Sequence, residues 1–188
     1  MKLIVVLGNP GNEYAQTRHN VGFLFGDFYK ENIPFSLKKK TSELITYSAH
    51  ILNQEILLLY PLTYMNLSGI AVRKIASLYK IQVENILIIY DDFEFNLGTF
   101  KLKPKGSGGT HNGMKSVIQE LGSTLMPRLR IGIGPMTEKE ITRYVLSVFP
   151  DQELNHLKEF VFIKLKSLIN LWIEFGTQLA ISKQKTNF

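Results

Sequence analysis

Two histidines, His19 and His111, one acidic pair, Asp91-Asp92, and three asparagines, Asn9, Asn66 and Asn112, stand where strands and loops of this chain should meet. A histidine with an ordinary pKa of about 6.5 can take a proton from water near neutral pH, and a carboxylate can orient and polarise it. Asparagine amides both donate and accept, so they can hold a peptide-like group or donate to a developing oxyanion. Together these residue types suffice for hydrolysis of an activated acyl bond by water. Other chemistry loses ground on inspection. The absence of cysteine removes disulfides, thiolate metal sites and thiol nucleophiles. No G-x-S-x-G elbow, G-x-x-x-x-G-K-[ST] loop, G-x-G-x-x-G fingerprint or H-E-x-x-H pair occurs. His19 and His111 lack a local third ligand, so neither a metal nor another cofactor is expected.

The elements that must position these residues follow from apolar patterning. Residues 2–7 read as a buried strand ending at Gly8-Asn9-Pro10-Gly11, and the apolar run is too short for the roughly 7–15 residues of a signal peptide core. Asn20 is placed to cap a helix carrying Val21, Leu24, Phe25 and Phe28 on one face. Extended segments are expected near 44–51 and 55–60, the second closed by Pro61. A helix starting at Thr63 or Asn66 should bury Leu67, Ala71, Ile75 and Leu78. The unbroken run Ile86 to Tyr90 predicts a central strand covered on both faces, ending at Asp91. Further strands are expected at 99–103 and at Leu129 to Ile133. Between them lies a helix with Met114, Val117, Ile118 and Leu121 inward and Gly122 as its stop. From about 152 to 180 the chain should be helical, with Leu157, Phe160, Val161, Leu165, Leu168, Ile169 and Trp172 on the core side, followed by a short polar tail.

The 188 residues fit one domain, 1–188. The fold class expected is α/β, a single-domain mixed, mostly parallel central sheet covered by helices on both sides. Ligands of such sheets bind outside the carboxyl ends of the strands, and the polar loops named above converge on that rim. No stretch approaches the ~18 apolar residues of a membrane span, so a soluble, cytoplasmic protein without membrane partners is expected. Charge adds a direction. Residues 97–130 hold Lys101, Lys103, Lys105, Lys115, Arg128 and Arg130 against Glu120 alone, a basic zone of the kind that attracts a polyanion. Alternation puts Lys101 and Lys103 on one strand face, while Pro104 leaves the direction of Lys105 open. A catalytic hydrolase, a non-catalytic RNA-binding protein and an esterase or amidase for small acyl compounds all remain compatible with these residues.

GNPGNEYAQTRHN (8–20), PLTYMNLSG (61–69), the Asp91-Asp92 strand end, GSGGTHNG (106–113) and RLRIGIG (128–134) resemble, in order and over nearly the whole chain, the bacterial-type peptidyl-tRNA hydrolase family. The resemblance implies cleavage of the ester joining a peptide to the 3′-terminal ribose of tRNA, which recycles tRNA from stalled translation. It implies no metal or cofactor, a monomeric state, and peptidyl-tRNA as partner through its acceptor stem, 3′ end and nascent peptide. On this resemblance His19 matches the catalytic base and Asp91 the acid that supports it. Asn9 matches the residue that separates blocked from free aminoacyl groups, and Asn66 and Asn112 match substrate-binding asparagines. Tyr14 and Tyr64 match substrate contacts, Lys103 and Arg130 match basic positions associated with tRNA, and His111 matches a residue that supports the site. Two departures stand out: Thr110 replaces a usual glycine, which would strain the loop if that position required positive φ, and Asp92 stands where relatives often have Glu.

Overall fold

Every position of β1 (Lys2–Val6) is buried, because it lies between β4 (Gln54–Pro61) and β5 (Ile86–Asp92) and pairs in parallel with both. The computed structural model describes residues 1–136 and 140–187. Beyond β5 lies β7 (Arg128–Gly132), also parallel, and then β6 (Phe100–Lys103), antiparallel at the edge. On the other side β3 (Leu44–Ile51) and β2 (Ser36–Lys40) continue antiparallel, giving the order β2-β3-β4-β1-β5-β7-β6. Apolar patterning predicts no strand at 36–40, where the structure has β2. SLKKK is exposed almost throughout, so it carries no apolar alternation, and its lysines suit an edge that must not pair with another chain.

Alternation along β1 divides the core in two. Ile4 and Val6 join Val21, Phe25 and Tyr29 of α1 (Val21–Glu31) and Leu165, Ile169 and Trp172 of α6 (Phe162–Phe175) on one face. Leu3, Val5 and Leu7 meet Ala71, Val72 and Ile75 of α2 (Ser68–Leu78) and Met114 and Val117 of α3 (Asn112–Leu121) on the other. The two helix faces are rotated from the expected ones. In α1 Leu24 and Phe28 are only partly buried, whereas Leu67, just before α2, and Leu78, at its end, are exposed. Small residues explain both shifts: a Cβ at Gly22 would meet the Leu7 carbonyl, and one at Gly69 the Ser116 carbonyl. Each helix therefore turns its glycine, and the large residues one turn from it, toward the closest neighbour.

Gly122 ends α3 in the left-handed conformation, φ 63°, as its position suggested. The carboxyl-terminal helical segment is interrupted. α4 (Ile141–Val145), absent from the sequence reading, precedes α5 (Asp151–His156). A π turn (Leu157–Val161) then leads into α6, and Gly176, φ 79°, separates that helix from α7 (Thr177–Asn187). The π turn shifts the helical phase, which leaves Phe160 58% exposed instead of in the core stripe. The expected polar tail is the last part of α7 as far as Asn187. No helix among the described residues is long and apolar enough to cross a membrane.

Candidate active site

The apolar run of β5 carries Asp91 to the carboxyl end of the sheet, where it remains only 3% exposed. A buried carboxylate needs partners, and it receives one from each face of the sheet. His19 arrives on a 3-10 turn (Arg18–Asn20) that runs into α1, and His111 is the residue that caps α3. His19 Nδ1 lies 2.8 Å and His111 Nε2 2.9 Å from the same Asp91 Oδ1. Both nitrogens therefore carry the hydrogen and donate. The remaining nitrogens differ. His111 Nδ1 accepts from the Met114 N–H at 3.2 Å, whereas His19 Nε2 has no hydrogen-bond partner among the described residues and borders a cavity of about 720 Å³.

Burial acts to lower the His19 pKa, but the Asp91 charge and its hydrogen bond outweigh it and hold the imidazole above its ordinary 6.5. Asp91 is correspondingly far below the usual carboxylate range: burial alone would raise it, and the two imidazoles reverse the sign. His19, Asp91 and His111 offer ligand atoms within 4.8 Å of one another. The spacing of Oδ1 from each nitrogen is that of a hydrogen bond, shorter than the roughly 3.3 Å between ligands of an ion bound at ~2.0–2.1 Å, so an ion would have to part them. Asp92 is turned elsewhere: Oδ1 accepts from the Glu94 N–H at 2.9 Å, and Oδ2 is paired with Arg130 Nε.

Asn20 was expected to cap α1 and does not. Its amide instead grips the Asn9 backbone, accepting from Asn9 N at 2.8 Å and donating to Asn9 O at 2.9 Å. Asn9 is thereby fixed, and its Oδ1 accepts from the Met65 N–H at 2.8 Å. The Asn9 Nδ2 group is left without a partner among the described residues, as a donor at the cavity. The neighbour of His19 is equally constrained: Arg18 lies between Tyr144 and Phe149, donates to Ile133 O at 3.0 Å and pairs with Glu153 at 2.6 Å. Sequence reasoning missed Arg18, since nothing in a lone arginine beside His19 marks it as buried.

Asn66, Tyr64, Asn112, Lys103 and Arg130 join Asn9, His19, Asp91 and His111 around the cavity. Tyr14 does not line it; that residue belongs to a 3-10 turn (Asn12–Tyr14) whose carbonyl receives the Thr17 N–H and hydroxyl. Lys105 does line it, and so do Ile141, Val145 and Leu146 around α4, an apolar wall that no sequence pattern announced. Thr110 brings no positive φ, because the left-handed position falls on Gly109, φ 53°. The basic zone proves heterogeneous. Arg128 is 2% exposed and donates to Ser107 O at 2.7 Å and Thr124 O at 3.1 Å, pinning the glycine-rich loop from within. Arg130 is paired with Asp92 and Glu94. Lys101, Lys103, Lys105 and Lys115 carry the positive charge that reaches solvent.

A family model described as peptidyl-tRNA hydrolase matches residues 3–187. Peptidyl-tRNA hydrolases of Clostridium novyi and Desulfitobacterium hafniense are each 40% identical over 183 residues, covering 97% of this chain and 97% and 98% of theirs. Among solved structures, the peptidyl-tRNA hydrolase of Acinetobacter baumannii superposes with a TM-score of 0.90 at 34% identity, over 97% of this chain and 93% of that one. The match thus runs through every loop that contributes to the His19–Asp91–His111 centre, on the same fold, and the chain belongs to the peptidyl-tRNA hydrolase family.

Proposed function

We propose that this member of the family hydrolyses the ester between a peptide and the 3′-terminal ribose of tRNA with His19 as general base. The observation that carries the assignment is the single free ring nitrogen: His19 Nε2 borders the cavity while both nitrogens of His111 are engaged. His19 Nε2 takes a proton from water as the water oxygen attacks the ester carbonyl. Asp91 stabilises the imidazolium that forms. Collapse of the tetrahedral intermediate breaks the bond to the ribose oxygen, and that oxygen recovers the proton from His19. The reaction needs no covalent enzyme intermediate.

Asn9 Nδ2, with its own carbonyl spent on Met65 N–H, offers only a donor to the substrate. A donor suits the carbonyl of an acylated amine or the oxyanion and gives no partner to a free ammonium, so aminoacyl-tRNA with an unblocked amine is a poor substrate. Asn66 and Asn112 offer full amides to the peptide backbone, and Tyr64 stands at the mouth. Lys103, together with Lys105, meets acceptor-stem phosphates without reading sequence. His19→Ala tests the reading: turnover of an N-acylated aminoacyl-tRNA should fall by ~10²–10⁴-fold with affinity largely kept, and near-normal turnover in a folded variant would refute the mechanism.

A further inference from the structure

Arg130 reaches the rim already committed. Its guanidinium is stacked on the Phe95 ring, 4.7 Å from the centroid, its Nε is paired with Asp92, and its outer nitrogen meets Glu94 Oε2 at 2.7 Å. The two acids differ. Asp92 is buried, with one oxygen tied to the backbone. The Glu94 side chain is 63% exposed, and Arg130 is its carboxylate's only partner among the described residues. Glu94, Arg130, Lys103 and Lys105 border one cavity.

We propose that Glu94 is a built-in competitor for phosphate at Arg130, which sets how much of this guanidinium's charge a tRNA backbone can use. The inference rests on the reading of the Lys103 rim as the tRNA surface and goes beyond it. A carboxylate and a phosphate offer a guanidinium the same paired acceptors. Glu94, being in the same chain, competes at an effective concentration that a lone anion matches only at millimolar levels. A polyanion anchored on Lys103 and Lys105 presents its next phosphate at a comparable effective concentration and can displace Glu94, whereas an isolated phosphate or a short RNA fragment cannot. The Asp92 and Phe95 contacts keep the guanidinium in place during the exchange. Because Arg130 is neutralised before tRNA arrives, its contribution to counterion release is suppressed.

Equilibrium binding of deacylated tRNA across a salt series tests this with Glu94→Gln, Glu94→Asp and Lys103→Gln, each checked by thermal melting. Glu94→Gln should tighten binding about two- to five-fold at low salt, the range of an exposed ion pair, and steepen log affinity against log salt by up to ~0.7–0.9. Glu94→Asp keeps the charge but is one methylene too short to hold the guanidinium, and it should tighten binding as well. Binding by Glu94→Asp at the unmodified level, with Glu94→Gln tight, would overturn the proposal, since Glu94 would then act only as a nearby negative charge. Unchanged binding by both Glu94 variants, with Lys103→Gln still weakened, would also overturn it. Unchanged binding by Lys103→Gln as well would remove the tRNA from this rim and the underlying reading with it.

Discussion

His19 and His111 reach the same oxygen of Asp91 from opposite faces of the sheet, at 2.8 and 2.9 Å, with ring centroids 5.0 Å apart. Residue type, partner and distance are nearly identical, yet the outer nitrogen of one closes a helix cap and that of the other opens on the cavity. A histidine's role is thus decided by what its second nitrogen does. His111 holds the carboxylate and starts α3. His19, held by the same carboxylate, keeps an unshared lone pair at the cavity.

The sharpest way to break this contrast is to remove each ring in turn. His19→Ala should cost ~10²–10⁴-fold in turnover in a protein that still melts cooperatively, its loss of stability being that of one hydrogen bond to the buried Asp91. His111→Ala should cost roughly tenfold or less in turnover, and because it loses the cap, worth about 1 kcal/mol, as well as its own bond to Asp91, it should melt ~2–4 °C below His19→Ala. A reversed ranking in single-turnover assays would exchange the two roles.

Asp91→Asn should fall between these variants in turnover, and its signature is the pH–rate profile. A general base at His19 would work in its neutral form, and Asp91 raises the His19 pKa against the opposing effect of burial. Without the charge only burial remains, so the acidic limb should move to lower pH. A limb that stays in place, or that moves only in Asp92→Asn, would detach Asp91 from His19.

Comparable cleavage of acylated and free aminoacyl-tRNA by the unmodified protein would contradict a donor-only Asn9. Smallest in effect is Lys103→Gln, which should lower the salt slope of tRNA binding by ~0.7–0.9 while leaving hydrolysis of a stemless acylated adenosine ester nearly unchanged. Equal effects on both substrates would place the lysine in the catalytic centre and blur the division between chemistry and binding.

Local pattern made much of this readable in the sequence. Unbroken apolar runs marked β1 and β5 as buried strands, because a parallel strand covered on both faces has no polar side to show. Gly122 marked the end of α3, since left-handed backbone favours glycine. The loops after the strands were legible as the site because polar residues gather there against the apolar background. Edge strand β2 and the π turn before α6 left no such mark: an exposed strand has no buried face to alternate, and one inserted residue changes helical phase without changing composition.

Residue types alone supply the inventory: two histidines, a carboxylate, donor amides and a basic zone, attached to strands whose ends share one rim. Tertiary structure decided the state of each group. Asp91 is 20 residues from His111 and 72 from His19, and Arg18 is 115 from the carbonyl that receives it. Which nitrogen remains free, which arginine is buried and which is neutralised therefore depend on contacts that no local pattern encodes. A hydrogen-bonding group advertises its capacity in the sequence, but its use is settled only when folding chooses its partner.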